Sequence, residues 1–334
     1  MTRVRLVAAV GLALALGASP AQAGHGDGKV LIFAQPLARA DALWMALARG
    51  FFKDEQLSVT VKWVSSGAEA LRTFEKGRDG TPGSGDFVVV NEVLAMHFWQ
   101  GAADGFTVVA PLGRDASGYV AVAKKEVANA SALRTKAVGT QLGSTTAWFV
   151  SEYLRAHGLS ERDVALKHHP VGGDIAGWNP EQSDVAAFFV REPLATAAIQ
   201  KHGDRVHRLS TAKGYIHGYL LLGTWKRYLR EHSGVAERVL RALDRGRRHA
   251  EQHQADVIRF ASEMFGKETD AVAADHGTAE RLLAIDGATL DDFRSLGRWM
   301  KEAGLLPATV VPIALFDPEP LRRSLPDRVP AEVR

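Results

Sequence analysis

The sequence predicts an α/β fold in two lobes, each a sheet flanked by helices, and three observations carry that prediction. Between residues 29 and 209, short apolar runs alternate with stretches of helical period, the pattern of strands and helices in layers. Several runs are continuously apolar, as strands covered by helices on both faces must be. The chain has 334 residues, 46% of them hydrophobic, which is more than a single core of ordinary domain size organises.

Taken in order, Lys29 to Ala34 reads as a buried strand. A helix follows from Asp41, a candidate N-cap, to Arg49, with Gly50 where helices stop. Ser58 to Val64 alternates as a strand, and Gly67 to Lys76 has helical spacing. A turn-rich loop from Gly77 to Gly85 leads to strand Asp86–Asn91, helix Glu92–Trp99 and strand Phe106–Pro111. The second block reads as strands at Tyr119–Ala123, Ala137–Thr140, Ala165–His169, Val185–Val190 and Val206–Leu209. Its helices are Thr145–His157 and Pro193–His202. Past Gly214 an apolar run, Tyr219–Gly223, precedes helices at Trp225–His232, Val235–Phe265, Lys267–Asp275 and Leu290–Ala303. These segments are expected to return to the first lobe. The expected division is therefore 1–23 leader, 24–114 first part of lobe one and 115–213 lobe two. The helical second part of lobe one is 214–316, and 317–334 is a Pro- and Arg-rich surface tail. Crossings between lobes are expected at Leu112–Gly118 and Leu209–Gly218.

The leader has the form of an export signal. Arg3 and Arg5 precede the apolar stretch Leu6–Leu16, and Ala21-Gln22-Ala23 fits cleavage after Ala23. The apolar stretch is shorter than the roughly 20 residues a membrane span needs. Without the leader, Lys plus Arg fall from 41 to 39 against 38 acidic residues, near +1. Basic residues at Arg238–Arg248 are interleaved with Glu237, Asp244 and Glu251, a solvated helix face that argues against nucleic acid as a partner. There is no cysteine, which excludes disulfides, thiol catalysis and a lipidated N-terminal cysteine.

The most informative string is Ala137–Leu159, AVGTQLGSTTAWFVSEYLRAHGL: strand, glycine turn, hydroxyl cluster, helix, glycine stop. Gly143 permits the turn, and Ser144, Thr145 and Thr146 set hydroxyls and free N–H groups at a helix start, which suits an anion. The same hydroxyls are also ordinary caps. With ALWMALARGFFKDEQLSVTV (Ala42–Val61), SSGAEAL (Ser65–Leu71), GDFVVVNEV (Gly85–Val93) and DVAAFFVREPLATAAIQKHG (Asp184–Gly203), residues 29 to 305 resemble a known group in order. The group is the solute-binding proteins of the nitrate, sulfonate, taurine and thiamine-precursor ABC importers, and Glu192-Pro193 matches its Glu-Pro after a strand.

The resemblance implies a type II periplasmic binding protein, with a mixed sheet in each lobe and a solute cleft between them. It implies no catalysis and no cofactor or metal. The implied partners are a small anionic or zwitterionic solute, a permease and its ATPase, and the chain is expected to be a periplasmic monomer. A sulfonate-type anion is favoured by the hydroxyl-rich helix start. A pyrimidine thiamine precursor, or an enzyme on the same scaffold, is the alternative. The loop Gly77–Gly85 and the string Gly177–Asp184 depart from the group's pattern.

Ligands of open α/β sheets lie beyond the carboxyl ends of parallel strands. That rule selects Gln35, Arg39, Ser66, Gly67, Asn91, Glu92, Gly143, Ser144, Thr145, Thr146, Arg191 and Glu192 as cleft residues. Trp44 and Trp178 are candidates for stacking on the solute or for packing within a lobe. Arg39 and Arg191 are candidate partners of an anionic group, and Glu192 alternatively caps the helix after it. His249 and His253 are four apart on a helix, but their segment reads His-Ala-Glu-Gln-His and lacks the glutamate placement of a zinc protease.

Overall fold

The computed structural model describes residues 28–76, 85–100, 105–169, 173–266, 268–331 and 333. The leader, its cleavage point after Ala23, and all of the Gly77–Gly85 loop except Gly85 lie outside them. The first stretch contains β1 (Lys29–Ala34), α1 (Asp41–Ala48), α2 (Phe51–Asp54), β2 (Ser58–Trp63), α3 (Gly67–Glu75), β3 (Phe87–Asn91), α4 (Glu92–Trp99) and β4 (Phe106–Asp115). The second contains β5 (Tyr119–Lys124), β6 (Ala137–Thr140), α5 (Thr145–Ala156), β7 (Ala165–His168), α6 (Gly173–Gly177), β8 (Val185–Arg191), α7 (Leu194–His202) and β9 (Val206–Thr211). The third runs β10 (Gly218–Trp225), α8 (Lys226–Glu231), α9 (Ser233–Gln252), α10 (Gln254–Phe265), α11 (Thr269–Thr278), β11 (Glu280–Arg281), α12 (Gly287–Glu302) and α13 (Glu319–Ser324).

Two mixed sheets result, ordered β11-β4-β10-β3-β1-β2 and β7-β6-β8-β5-β9. In the first, β2, β1 and β3 are parallel, whereas β10 runs antiparallel between β3 and β4. In the second, β7, β6 and β8 are parallel and β5 is antiparallel to β8 and β9. The chain passes between sheets twice, through the three residues after β4 and the six before β10. Asp115 shapes the first passage by accepting from the Gly118 N–H at 2.9 Å. A side chain at Gly118 would meet the Asp115 carboxylate at 2.2 Å, so the turn needs glycine.

The all-valine centre of β3 is covered on both faces and wholly buried. Beneath the sheet Phe74 stacks on Trp225 with ring centroids 4.9 Å apart and planes 2° from parallel. The long helix α9 lies against α1 so closely that a Cβ on Gly246 would stand 2.1 Å from the Ala42 carbonyl oxygen.

Four expectations are corrected. β4 does not stop at Pro111: the ladder with β10 slips by one residue there and continues to Asp115, and such a bulge tolerates a residue with no N–H to donate. The helix read as Val235–Phe265 breaks at His253, whose φ of −133° and ψ of 62° turn α10 back onto α1. Asp41 caps nothing. A tight turn at Ala38–Ala40 leads into α1, and the buried Asp41 carboxylate meets His276 and Arg281, each at 2.8 Å. The tail is not a surface strand of chain. Asp317 N–H donates to the Val108 carbonyl at 2.9 Å, and Leu321, Val329 and Val333 are buried, an apolar face that the Pro- and Arg-rich composition concealed.

Candidate functional site

Parallel pairing brings the carboxyl ends of β1, β2 and β3 to one edge of the first sheet. There the Gln35 side-chain amide donates to the Ser65 carbonyl at 3.1 Å. Ser66 Oγ accepts from the Glu69 N–H at 3.1 Å and so starts α3, while the Glu69 carboxylate accepts from the Ser65 hydroxyl at 2.6 Å. That hydroxyl bond, seconded by the Ser65 N–H, holds the Glu69 carboxyl below the usual range. Gly67 is held between neighbours: a Cβ there would meet Leu94 at 2.9 Å and Gln35 at 3.3 Å. Asn91 Oδ1 accepts from the Leu94 N–H at 2.8 Å and caps α4.

The facing edge belongs to the second sheet. Gly143 adopts φ +69°, the left-handed turn before α5. Ser144 Oγ donates to the Gln141 carbonyl at 2.6 Å and accepts from the Thr146 N–H at 3.2 Å, and Thr146 Oγ1 accepts from the Thr140 hydroxyl at 3.0 Å. An open pocket of about 70 Å³ lies beside this turn, with Thr140, Thr146 and Arg191 at polar positions and Ile175, Phe188 and Leu194 at apolar ones.

One carboxylate joins the two edges. Glu92, the first residue of α4, is wholly buried. Its Oε1 accepts from the Thr145 hydroxyl at 2.5 Å across the cleft, and its Oε2 accepts from the Tyr219 N–H at 2.8 Å. Burial pushes its carboxyl above the ordinary range, against the opposing pull of Thr145 and of the Arg39 charge. Arg39 is itself only 3% exposed, and its Nε and Nη1 have no hydrogen-bond partner among the described residues. Arg39 and Arg191 both place their guanidinium carbon 5.8 Å from the centroid of the Tyr119 ring. Arg191 also lies 3.5 Å from Asp115 Oδ2.

Among the residues selected from sequence, the structure gathers Arg39, Arg191 and the start of α5 around this seam, with Gln35, Ser66, Gly67 and Asn91 along the lobe-one edge. Glu192 turns away from it: its carboxylate accepts from the Thr196 N–H and hydroxyl, both at 3.0 Å, and from Arg208 at 3.0 Å, which caps α7. Trp44 packs in the lobe-one interior with Phe265 and Phe260, at 5.2 and 6.1 Å between centroids. Trp178 packs in lobe two against Phe188 at 5.0 Å. His249 and His253 stack on one another at 4.2 Å. Tyr119 and Asp115 were not expected in the cleft, whereas Glu92 belongs to the Asn91-Glu92 loop placed on its rim. The signal for Glu92 was present, since it is the one charge within the apolar string from Phe87 to Met96.

Comparison with known proteins agrees with this architecture. The periplasmic aliphatic sulphonate binding protein SsuA from Escherichia coli superposes with TM-score 0.68 at 15% identity, covering 84% of this chain and 94% of that one. The periplasmic nitrate-binding protein NrtA from Synechocystis PCC 6803 gives TM-score 0.65 at 13% identity, covering 91% of each. A DSZB mutant in complex with biphenyl-2-sulfinic acid gives TM-score 0.65 at 16% identity, covering 89% and 99%. At such identities the likeness establishes the fold, the two-lobed architecture of periplasmic binding proteins. No curated protein matches the sequence. The family model described as NMT1/THI5 like matches residues 40–257, well over half of the chain, and the chain belongs to that family.

Proposed function

We propose that the chain is an exported periplasmic receptor that captures a small anionic or zwitterionic solute between its lobes. It then delivers the solute to the permease and ATPase of an ABC importer, without catalysis or a cofactor. The observation that carries this reading is Arg39. A guanidinium buried at the seam with two nitrogens unpartnered is costly, and a solute anion arriving in the cleft satisfies it. The two-strand passage between sheets gives the lobes a hinge about which to close. The sulphonate- and nitrate-binding proteins among the structural neighbours support the same class of solute.

The test is a thermal-shift panel on the chain from Gly24 with ethanesulfonate, taurine, nitrate and a pyrimidine thiamine precursor. A bound solute at 100 times its Kd adds about 2.7 kcal/mol, which raises Tm by roughly 5 °C. Arg39→Met, which keeps the side-chain bulk, is expected to weaken the best anion at least tenfold, on the order of 1.4 kcal/mol. A shift with the pyrimidine alone, unchanged in that variant, removes the anion reading, and turnover of a bound compound removes the receptor reading.

A further inference from the structure

The start of α5, which the sequence offers to a solute's anion, already holds a carboxyl group of the protein's own. The Thr145 hydroxyl is bonded to Glu92, and the Ser144 and Thr146 hydroxyls are bonded within the turn. A second negative group brought to this point meets the Glu92 carboxylate at close range and inside a medium that screens little. Arg39, by contrast, is near enough for its charge to act on Glu92, yet the structure records no hydrogen bond between them. An acid and a base thus border one buried seam without neutralising each other directly. Their natural complement carries the opposite pair of charges.

We infer that Glu92 is a specificity-determining residue: the solute lays its anionic group against Arg39 and presents a protonated amine to Glu92, so the class is a small amino-sulfonate or amino-carboxylate and not a bare oxyanion. This deepens the receptor reading and rests on it. Thr145, the Tyr219 N–H and the Glu92 N–H itself supply three hydrogen bonds to a carboxylate that accepts about four, so acceptor capacity remains for one more donor. Arg39 contributes charge from the lobe-one side. Burial of the carboxylate makes an ammonium worth more there than at an exposed site.

Matched probes test the inference by titration calorimetry on the chain from Gly24: taurine against ethanesulfonate, and β-alanine against propionate, with nitrate as a bare oxyanion. The amine-bearing member of at least one pair is expected to bind ten times more tightly than its partner. In Glu92→Gln that preference should fall below threefold, with the amine-free member bound as well as before or better. Equal or tighter binding of the amine-free members to the native chain overturns the inference, and that comparison needs no variant to fold. A uniform loss for all probes in Glu92→Gln also overturns it, because a carboxylate that merely pins the lobes would act on every solute alike. Should nitrate alone bind, the receptor reading stands and the inference fails. Should none of the probes bind, the anion-receptor reading fails first and takes the inference with it.

Discussion

Asp256 shows how a single carboxylate sets local geometry in this chain. It sits in the first turn of α10, accepts from His249 at 2.8 Å and pairs with Arg49 and Arg259. It thereby ties the end of α1 to α9 and α10 at the point where the long helix breaks. The hydrogen bond from His249, then Arg49, holds its carboxyl down at about 2 from an ordinary 3.8. A lowered carboxyl pKa gives stability that is present above the ordinary value and lost as pH falls through the folded one. The native chain is therefore expected to lose Tm between pH 4 and pH 2 more steeply than Asp256→Asn, with the two curves converging at the acid end. Parallel curves across that interval would remove the assignment. At this scale the sequence was legible wherever a role is local. Ser66 and Asn91 cap helices three residues on, and both were selected for lying at strand ends. Glu92 was placed on the rim by the same rule, but its bridging role was not legible, because its partners, Thr145 and Tyr219, lie 53 and 127 residues away and only the order of strands brings them together.

Among the elements, α5 and α12 form a second link between lobes, away from the cleft. Arg155 of α5 meets Glu302 of α12 at 2.8 Å, and Glu152 lies 3.4 Å from Arg298. The Trp299 indole N–H donates to Glu161 at 3.2 Å. The Arg155–Glu302 pair is exposed on both sides, so it contributes roughly 0–1 kcal/mol and is screened by salt. Glu302→Lys puts a cation against Arg155 and should bias the unliganded lobes apart. The expected result is a two- to fivefold loss of solute affinity at ~0.05 M salt, shrinking toward none near 1 M as the Debye length falls to about 3 Å. Small-angle scattering of the unliganded chain should show a larger radius of gyration under the same low-salt condition. A loss that persists at high salt would point to packing around Trp299 instead of charge. Strands were read most accurately where both faces are covered, as in β1 and β6. The limits of β4 and β10 were not, since their long antiparallel ladder is set by the partner strand and passes over a proline.

For the whole molecule the deciding feature is how the last segment closes lobe one. The chain leaves the first sheet at β4, builds the second, and returns through β10, so β4 and β10 sit side by side although more than a hundred residues separate them. The segment after Phe316 then seals this joint. Phe316 bridges to Val108 of β4, α13 packs against α9, and the Ile285 N–H donates to the Arg328 carbonyl at 3.1 Å. Arg328 also comes within 3.7 Å of the buried Asp244, which otherwise pairs with Arg247 and Arg248 of its own helix. Each fully buried aliphatic side chain contributes about 1.5–3 kcal/mol. Truncation after Phe316 removes Leu321, Val329 and Val333 together, and is expected to cost on the order of 4 kcal/mol or more, a large part of a typical domain's stability. The loss should fall on lobe one. Hydrogen exchange should rise first along β4 and α9, while β6 and β8 of the second sheet keep their protection. Uniform loss of protection across both sheets would show instead that the two lobes unfold as a single cooperative unit. In that case the joint at β4 and β10 transmits stability between the lobes as well as motion.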